Sequence, residues 1–306
     1  VTAEPTASGE ARRVALVTGA RGQLGRALVD SAPQGWRVAA LRREEFDLTN
    51  AAQMQAVLER ERPNVVLNAA AYVLVDRAES EPELAYAVNA RGPGTLAVLA
   101  GKAGARVIHV STDCVFDGNG GRPWRPDDRP SPVNTYGRTK LEGERAVLAA
   151  SGGAGLVVRT SWVHSAVGRN FPHIMLDLIR RHDEVRVVDD QFGSPTWVGS
   201  VAGALWAAAA RPALRGVLHW TDAGVASRYD FAVAVQEDAL ELGVLARPAR
   251  LIPVPAAEFP QPARRPAFGV LDTHETARAL GLEPRHWREN LRRMLRTLGA
   301  RAPANA

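Results

Sequence analysis

The apolar run Val14-Ala15-Leu16-Val17 stops at Thr18 and gives way to three glycines spaced three apart, Gly19, Gly22 and Gly25. Apolar residues then return at helical spacing, as Leu24, Leu28 and Val29. The stretch therefore reads as a buried strand, a tight turn and a helix. Glycine permits the unusual backbone angles of such a turn, lets a ligand approach the backbone, and lets the helix pack closely on the strand. A helix starting near Gly22 would aim its free N–H groups and positive end at a pyrophosphate. With 27 glycines in 306 residues the spacing by itself is weak evidence. Its place between a strand and a helix is what makes Gly19, Arg21, Gly22, Gln23, Leu24 and Gly25 a candidate dinucleotide-binding turn.

The next apolar stretch, Trp36 to Leu41, reads as a second strand and ends in Arg42-Arg43, where an acidic residue would hold an adenosine ribose. Arg42, together with Arg21, suits a 2′-phosphate, so NADPH is the expected cofactor and NADH stays open. Asp47-Leu48-Thr49 leads into a helix over 50–61 with Met54, Val57 and Leu58 inward. A third strand over 65–68 runs into Ala69-Ala70-Ala71, small residues beside which a cofactor can pass. A helix over 81–101 and a strand over 107–111 follow, with Thr112-Asp113 at the strand's end. Residues 117–135, rich in Gly, Pro and Asp, form a long loop of the kind that builds or covers a site. A helix over 135–149, capped by Asn134, and a strand over 156–160 come next.

This alternation through residue 160 predicts an α/β fold with a doubly wound parallel sheet of Rossmann type, residues 13–160 forming a dinucleotide-binding core. Further on, helices are expected near 170–181, 198–210, 228–242 and 285–298, and strands over 185–188 and 216–220. Residues 161–306 are expected to form mostly a smaller C-terminal substrate-binding lobe, with some elements returning to the core. Residues 1–12 are polar and read as a disordered tail without a signal peptide. The longest apolar stretch, from Val201 to Ala210, falls far short of the ~20 residues of a membrane span, so no membrane partner is expected.

The single cysteine, Cys114, leaves no internal disulfide and fits a reducing cytoplasm. A net charge of +5 is spread without a basic run or a stripe of basic and aromatic residues, which argues against nucleic acid. The seven histidines are not clustered at metal-ligand spacing, and no metal site is expected.

Tyr136 and Lys140 lie four apart on the helix over 135–149 and share one face. Of 38 basic residues only Lys102 and Lys140 are lysines, so a lysine at this spacing suggests a site where a planar guanidinium will not substitute. A free tyrosine is mostly protonated at pH 7, with a pKa near ~10. Bringing it to ~7 takes about 4 kcal/mol, which an ammonium ~4 Å away in an effective dielectric of ~20 can supply. Thr112, at the mouth of the preceding strand, is placed to orient a carbonyl oxygen.

Seven ordered motifs now carry a resemblance: Gly19-x-x-Gly22-Gln23-Leu24-Gly25, Asp47-Leu48-Thr49, Asn68-Ala69-Ala70-Ala71, Val75-Asp76-x-Ala78-Glu79, Ser111-Thr112-Asp113, Tyr136-Gly137-x-Thr139-Lys140 and Arg159-Thr160-Ser161-Trp162. Together with Gln191-Phe192-Gly193 and Arg265-Pro266, the set resembles the dTDP-4-dehydrorhamnose reductase family of the extended short-chain dehydrogenase/reductases. The resemblance implies a catalytic set of Thr112, Tyr136 and Lys140 that passes hydride to the C4 ketone of a nucleotide-linked 6-deoxyhexose. It places Gln23, Leu24, Asp47, Leu48, Ala69, Ala70 and Ala71 on the dinucleotide, with Tyr136 and Lys140 reaching it as well. Around the substrate it places Val73, Asp113, Cys114, Trp162, Gln191 and Arg265. A homodimer is left open.

The chain departs from the family pattern at Val73 (commonly threonine), Cys114 (commonly tyrosine) and Phe268-Gly269 (usually Asn-Ser). Each change removes hydrogen-bonding capacity, which puts the particular sugar in question. Two other readings share the fold: an epimerase or dehydratase, and a non-catalytic dinucleotide-binding subunit. A dehydratase would typically carry an acidic pair after Thr112, whereas here Asp113 is followed by Cys114.

Overall fold

The computed structural model describes residues 13–300; the tail expected over 1–12, like residues 301–306, lies outside the described residues. The strands are β1 (Arg13–Thr18), β2 (Trp36–Leu41), β3 (Val65–Asn68), β4 (Arg106–Thr112), β5 (Leu156–Thr160), β6 (Val163–His164), β7 (Glu184–Val188), β8 (Phe192–Gly193), β9 (Thr196–Trp197), β10 (Gly216–His219), β11 (Ala226–Ser227) and β12 (Arg250–Val254). The first helices are α1 (Gln23–Asp30), α2 (Ala51–Glu61), α3 (Arg77–Ser80), α4 (Pro82–Tyr86), α5 (Gly92–Lys102) and α6 (Thr135–Ala150). They are followed by α7 (Phe171–Arg181), α8 (Val198–Ala209), α9 (Arg228–Glu241), α10 (His274–Leu280) and α11 (Trp287–Gly299).

Six strands form one sheet in the order β10-β5-β4-β3-β1-β2, every pair parallel. Their near-continuous apolar sequence matches a sheet covered on both faces. On one face Ala15, Val17, Leu67 and Ile108 pack with Leu28 of α1 and the alanine-rich α8. On the other, Leu16, Val66 and Val107 pack with Met54 and Leu58 of α2 and Leu96 of α5. Chain order reverses between β1 and β3, the switch point at which such sheets open a crevice for ligands. A separate core builds around Phe231 of α9, with Met175 and Ile179 of α7 and Leu291 of α11. Strand β10 returns from the second half of the chain to close the main sheet beside β5.

The helix expected over 81–101 is interrupted. Between α4 and α5 residues Ala87–Arg91 form a π turn, whose Asn89 carbonyl presses on α6: a Cβ at Gly143 would lie 2.0 Å from that oxygen. Strand β12 was not expected; it pairs in parallel with β7 despite Pro253. Among the described residues no helix is long and apolar enough to cross a membrane.

Candidate active site

A cleft of about 900 Å³ opens at the carboxyl ends of β1, β3, β4 and β5. Its floor is the glycine turn. Gly19 has φ +66°, a left-handed conformation that favours glycine, and a Cβ there would lie 3.0 Å from the Ala70 Cα. Gly22 N donates to the Gly19 carbonyl at 2.8 Å and closes the turn. Gly25 lies beneath it rather than in the cleft: a Cβ would be 2.2 Å from the Gly19 oxygen, so this glycine lets α1 press onto the turn. Gly22 caps α1 without a side-chain bond, leaving first-turn N–H groups to the cleft.

Arg21, Gln23, Leu24, Asp47, Leu48 and Ala69 to Ala71 all line the cleft. The Gln23 amide oxygen accepts from Ser165 Oγ and Asn170 Nδ2, both at 2.8 Å, and so ties the glycine turn to the second half of the chain. Burial disfavours the Asp47 carboxylate, yet two bonds from Thr49 and the nearby Arg43 hold it below its usual range. The two arginines after β2 differ in place. The Arg42 side chain is outside the cleft wall; Arg43 is in it, 3.7 Å from Asp47.

Thr112 ends β4, where its hydroxyl donates to Asp113 Oδ1 at 3.0 Å and accepts from Cys114 N at 3.1 Å. Tyr136 and Lys140 come from α6, whose cap Asn134 accepts from Gly137 N at 2.7 Å. A Cβ at Gly137 would lie 2.1 Å from the Cys114 carbonyl oxygen, so the helix start is pressed against the turn that follows Thr112. The close approach brings Thr112, Asp113, Tyr136 and Lys140 to one end of the cleft.

The hydrogen bonds of the lysine run to strand β4. Lys140 Nζ donates to the Val110 carbonyl at 2.7 Å and lies 3.2 Å from His109 Nε2. Burial raises the Tyr136 pKa, Cys114 and Asp113 add to the rise, and only the Thr112 hydroxyl opposes it. Tyr136 is thus protonated at neutral pH, the form that can give a proton away. Burial also pulls Lys140 down to about 8, against the attraction of Glu144.

At the other wall Trp162 has φ +44°, a strained conformation for so large a residue. It is held by Thr196 N, which donates to its carbonyl at 3.2 Å, and by the Arg228 guanidinium, 3.5 Å over the ring. Val73 lines the mouth and is 63% exposed. Burial pushes Asp113 up to about 6, opposed by Thr112 and Arg228, and Cys114 up to about 12.

Three expected substrate residues lie outside the cleft wall: Cys114, Gln191 and Arg265. Gln191 lends its carbonyl to Arg228 N at 3.1 Å, and Arg265 is paired with Asp76 at 2.8 Å. Gly269 leaves room for Asp113, since a Cβ there would lie 2.5 Å from Oδ2.

Sequence reasoning missed Ser111 and Thr160, whose buried hydroxyls line the cleft without a partner. Hydroxyls at the ends of two mostly apolar strands were the available signal. Arg228, on a short strand-to-helix junction, left none. The glycine cradle, the free N–H groups of α1 and these two hydroxyls fit a nicotinamide dinucleotide. Among the described residues no group of three or more His, Cys, Asp or Glu could hold a metal ion.

A doubly wound parallel sheet, a glycine turn at the first crossover and Thr112, Tyr136 and Lys140 lining the cleft beyond β4 define a short-chain dehydrogenase/reductase. The chain belongs to the family described as RmlD substrate binding domain, whose model matches residues 13–300. It is 45% identical over 298 residues to the dTDP-4-dehydrorhamnose reductase of Mycobacterium tuberculosis, covering 95% of this chain and 93% of that protein. It is 40% identical to a probable dTDP-4,6-dihydroxy-2-methyloxan-3-one 4-ketoreductase of Streptomyces antibioticus, covering 90% and 92%. The crystal structure of the Bacillus anthracis dTDP-4-dehydrorhamnose reductase in complex with NADP superposes with a TM-score of 0.86 at 31% identity, covering 92% of this chain and 98% of that one.

Proposed function

We propose that the protein reduces the C4 ketone of a dTDP-linked 4-keto-6-deoxyhexose with NADPH. The carrying observation is the convergence of the Thr112 hydroxyl, the protonated Tyr136 phenol and Lys140 at one end of a cleft floored by the glycine turn. The dinucleotide, when bound, supplies hydride to the ketone carbon. Tyr136 gives its proton to the ketone oxygen as that oxygen gains charge. Thr112 has a single proton, directed at Asp113 Oδ1; turning it to the ketone oxygen polarises the carbonyl and aligns it with the phenol. Lys140 holds the cofactor ribose. The glycine turn with Asp47, Leu48 and Ala69 to Ala71 holds the rest of the dinucleotide, and Trp162 with Asp113 and Val73 faces the sugar.

The substrate lobe comprises most of residues 161–306 and the dinucleotide-binding core residues 13–160, and the working location is the cytoplasm. A homodimer is part of the same proposal, read from the family resemblance. Val73 at the cleft mouth and Gly269 behind Asp113 leave the sugar end less polar than the family pattern, which favours a modified deoxysugar such as the one named for the Streptomyces antibioticus relative. The test is a panel of dTDP-linked 4-keto-6-deoxy sugars followed by NADPH absorbance, with the product's C4 configuration assigned by NMR. One NADPH should disappear per sugar reduced. An epimerase or dehydratase would recycle its cofactor, and a non-catalytic subunit would leave absorbance constant.

A further inference from the structure

One rung of side chains runs across three neighbouring strands to Lys140. Thr18, Asn68 and His109 stand opposite one another in register on β1, β3 and β4, and all three are completely buried. Thr18 Oγ1 lies 2.7 Å from Asn68 Oδ1, Asn68 Nδ2 lies 2.9 Å from His109 Nδ1, and His109 Nε2 lies 3.2 Å from Lys140 Nζ. At the far end Ala70 N donates to Thr18 Oγ1 at 3.1 Å, so the rung starts on the alanine segment that lines the cleft.

We propose that His109 is a positioning residue for Lys140: it presents an unprotonated Nε2 that, with the Val110 carbonyl, takes two of the ammonium's three protons and leaves the third for the cleft. The inference rests on the reading of Lys140 as the lysine that holds the cofactor. Burial and the Lys140 charge keep the imidazole neutral, so it carries one proton. When Lys140 donates to Nε2, that proton sits on Nδ1. Asn68 must then offer its amide oxygen to the ring and its NH₂ to Thr18 Oγ1. An uncharged lysine fits the opposite sense: Thr18 hydroxyl to Asn68 oxygen, Asn68 NH₂ to Nδ1, and Nε2–H to the amine. The two senses differ by one proton, the one Lys140 gives up; the imidazole keeps a single proton but changes tautomer, and the Asn68 amide turns over. The row couples the lysine's charge to the Ala69–Ala71 segment, and it gives the ammonium an acceptor where burial disfavours the charge.

The other ionisable groups about Lys140 are Glu144, one turn on and paired to Arg159 of β5, Tyr136, one turn back, and Asp113 beyond β4. The rung residue on β3, Asn68, is uncharged. Removing the His109 acceptor should therefore make Lys140 easier to deprotonate.

His109→Gln keeps an amide oxygen near the Nε2 position, whereas the shorter side chain of His109→Asn reaches only toward Asn68. The pH at which NADPH affinity falls on the alkaline side is read by fluorescence titration, without turnover. The parent and His109→Gln should share that midpoint, while His109→Asn should shift it about one to two pH units lower. In the ketosugar assay His109→Asn should lower kcat with KM retained. An unchanged midpoint in His109→Asn, an equal shift in both variants, or an affinity independent of pH in the parent would each overturn the proposal. Should His109→Asn not fold, Thr18→Val removes the acceptor at the far end of the rung. It should move the midpoint in the same direction, and an unmoved midpoint would overturn the proposal too. If the parent turned over no ketosugar, the reductase reading would fail, while NADPH titration would still decide the role of His109.

Discussion

Glu144 and Arg159 meet in a two-point ion pair, Nε to Oε1 at 2.9 Å and Nη2 to Oε2 at 2.7 Å, with both side chains almost wholly buried. Glu144 stands one turn beyond Lys140 on α6, and Arg159 belongs to β5, so the pair fixes the helix that carries Tyr136 and Lys140 against the sheet. Arg159 also lies 5.1 Å over the Phe116 ring and 3.3 Å from His219 Nε2, whose imidazole is held neutral by burial and by the same guanidinium. A buried charge left alone is costly, whereas a buried pair replaced as a unit need not be. Glu144→Gln should therefore destabilise by about 3–5 kcal/mol in urea unfolding. The double change Glu144→Leu, Arg159→Met should recover most of that loss. A double variant no more stable than the single one would show that the loss comes from the missing pair itself and not from a stranded Arg159 charge.

The protonated phenol of Tyr136 leads to a second expectation. Tyr136→Phe removes the donated proton and leaves the ring, so kcat should fall by about 10² to 10⁴. NADPH affinity should be retained, because the glycine turn and Lys140 are untouched. Steady-state rates with the best sugar of the panel, together with equilibrium NADPH binding, give both numbers. Unchanged turnover would remove Tyr136 from the chemistry.

Asp113 makes the stability depend on pH in a defined direction. Burial foremost raises its pKa from 3.8 to about 6. The folded chain therefore binds that proton more tightly than the unfolded chain does. The group's contribution to stability falls as pH rises from about 4 to about 6 and stays reduced above that. Asp113→Asn abolishes the titration but keeps an oxygen for the Thr112 hydroxyl. It should raise stability by about 1–3 kcal/mol at pH 7.5 and by clearly less at pH 5, while turnover falls as Thr112 loses its charged partner. Equal gains in melting temperature at the two pH values would show that Asp113 does not titrate in this way.

How much of this was legible beforehand follows from where each signal resides. Strands β1, β3, β4 and β5 are apolar runs whose burial is written in their own residues, and Tyr136 and Lys140 share a face because four residues make about one helical turn. The π turn over Ala87–Arg91 packs against α6 at Gly143, more than fifty residues further along the chain, a contact that no local pattern encodes. The same holds for His109. Its sequence neighbours mark it as a strand residue, and only the parallel register of β1, β3 and β4 aligns it with Thr18 and Asn68 beneath Lys140. The two-residue strands β6, β8, β9 and β11 are too short to show periodicity, so the placing of Trp162 in the cleft wall with Arg228 over its ring depends on pairings that become visible only once the lobe is folded.

The neighbouring arginines after β2 show the same limit and give the last prediction. Both Arg42 and Arg43 are exposed and follow the strand directly, and the turn that starts there decides which one faces the cleft. Arg42 N donates to Glu45 Oε2 at 2.9 Å, and the Arg42 carbonyl accepts from Phe46 N at 2.9 Å. That tight turn leaves the Arg43 side chain in the cleft wall beside Asp47. A guanidinium there suits the 2′-phosphate that separates NADPH from NADH. Arg43→Ala should weaken NADPH by about 10- to 100-fold, the effect of one charge-assisted contact, with NADH much less affected. Arg42→Ala should leave both affinities near those of the parent. Equilibrium titrations of the two variants with both cofactors decide between the arginines, and a larger NADPH defect in Arg42→Ala would return the 2′-phosphate to Arg42.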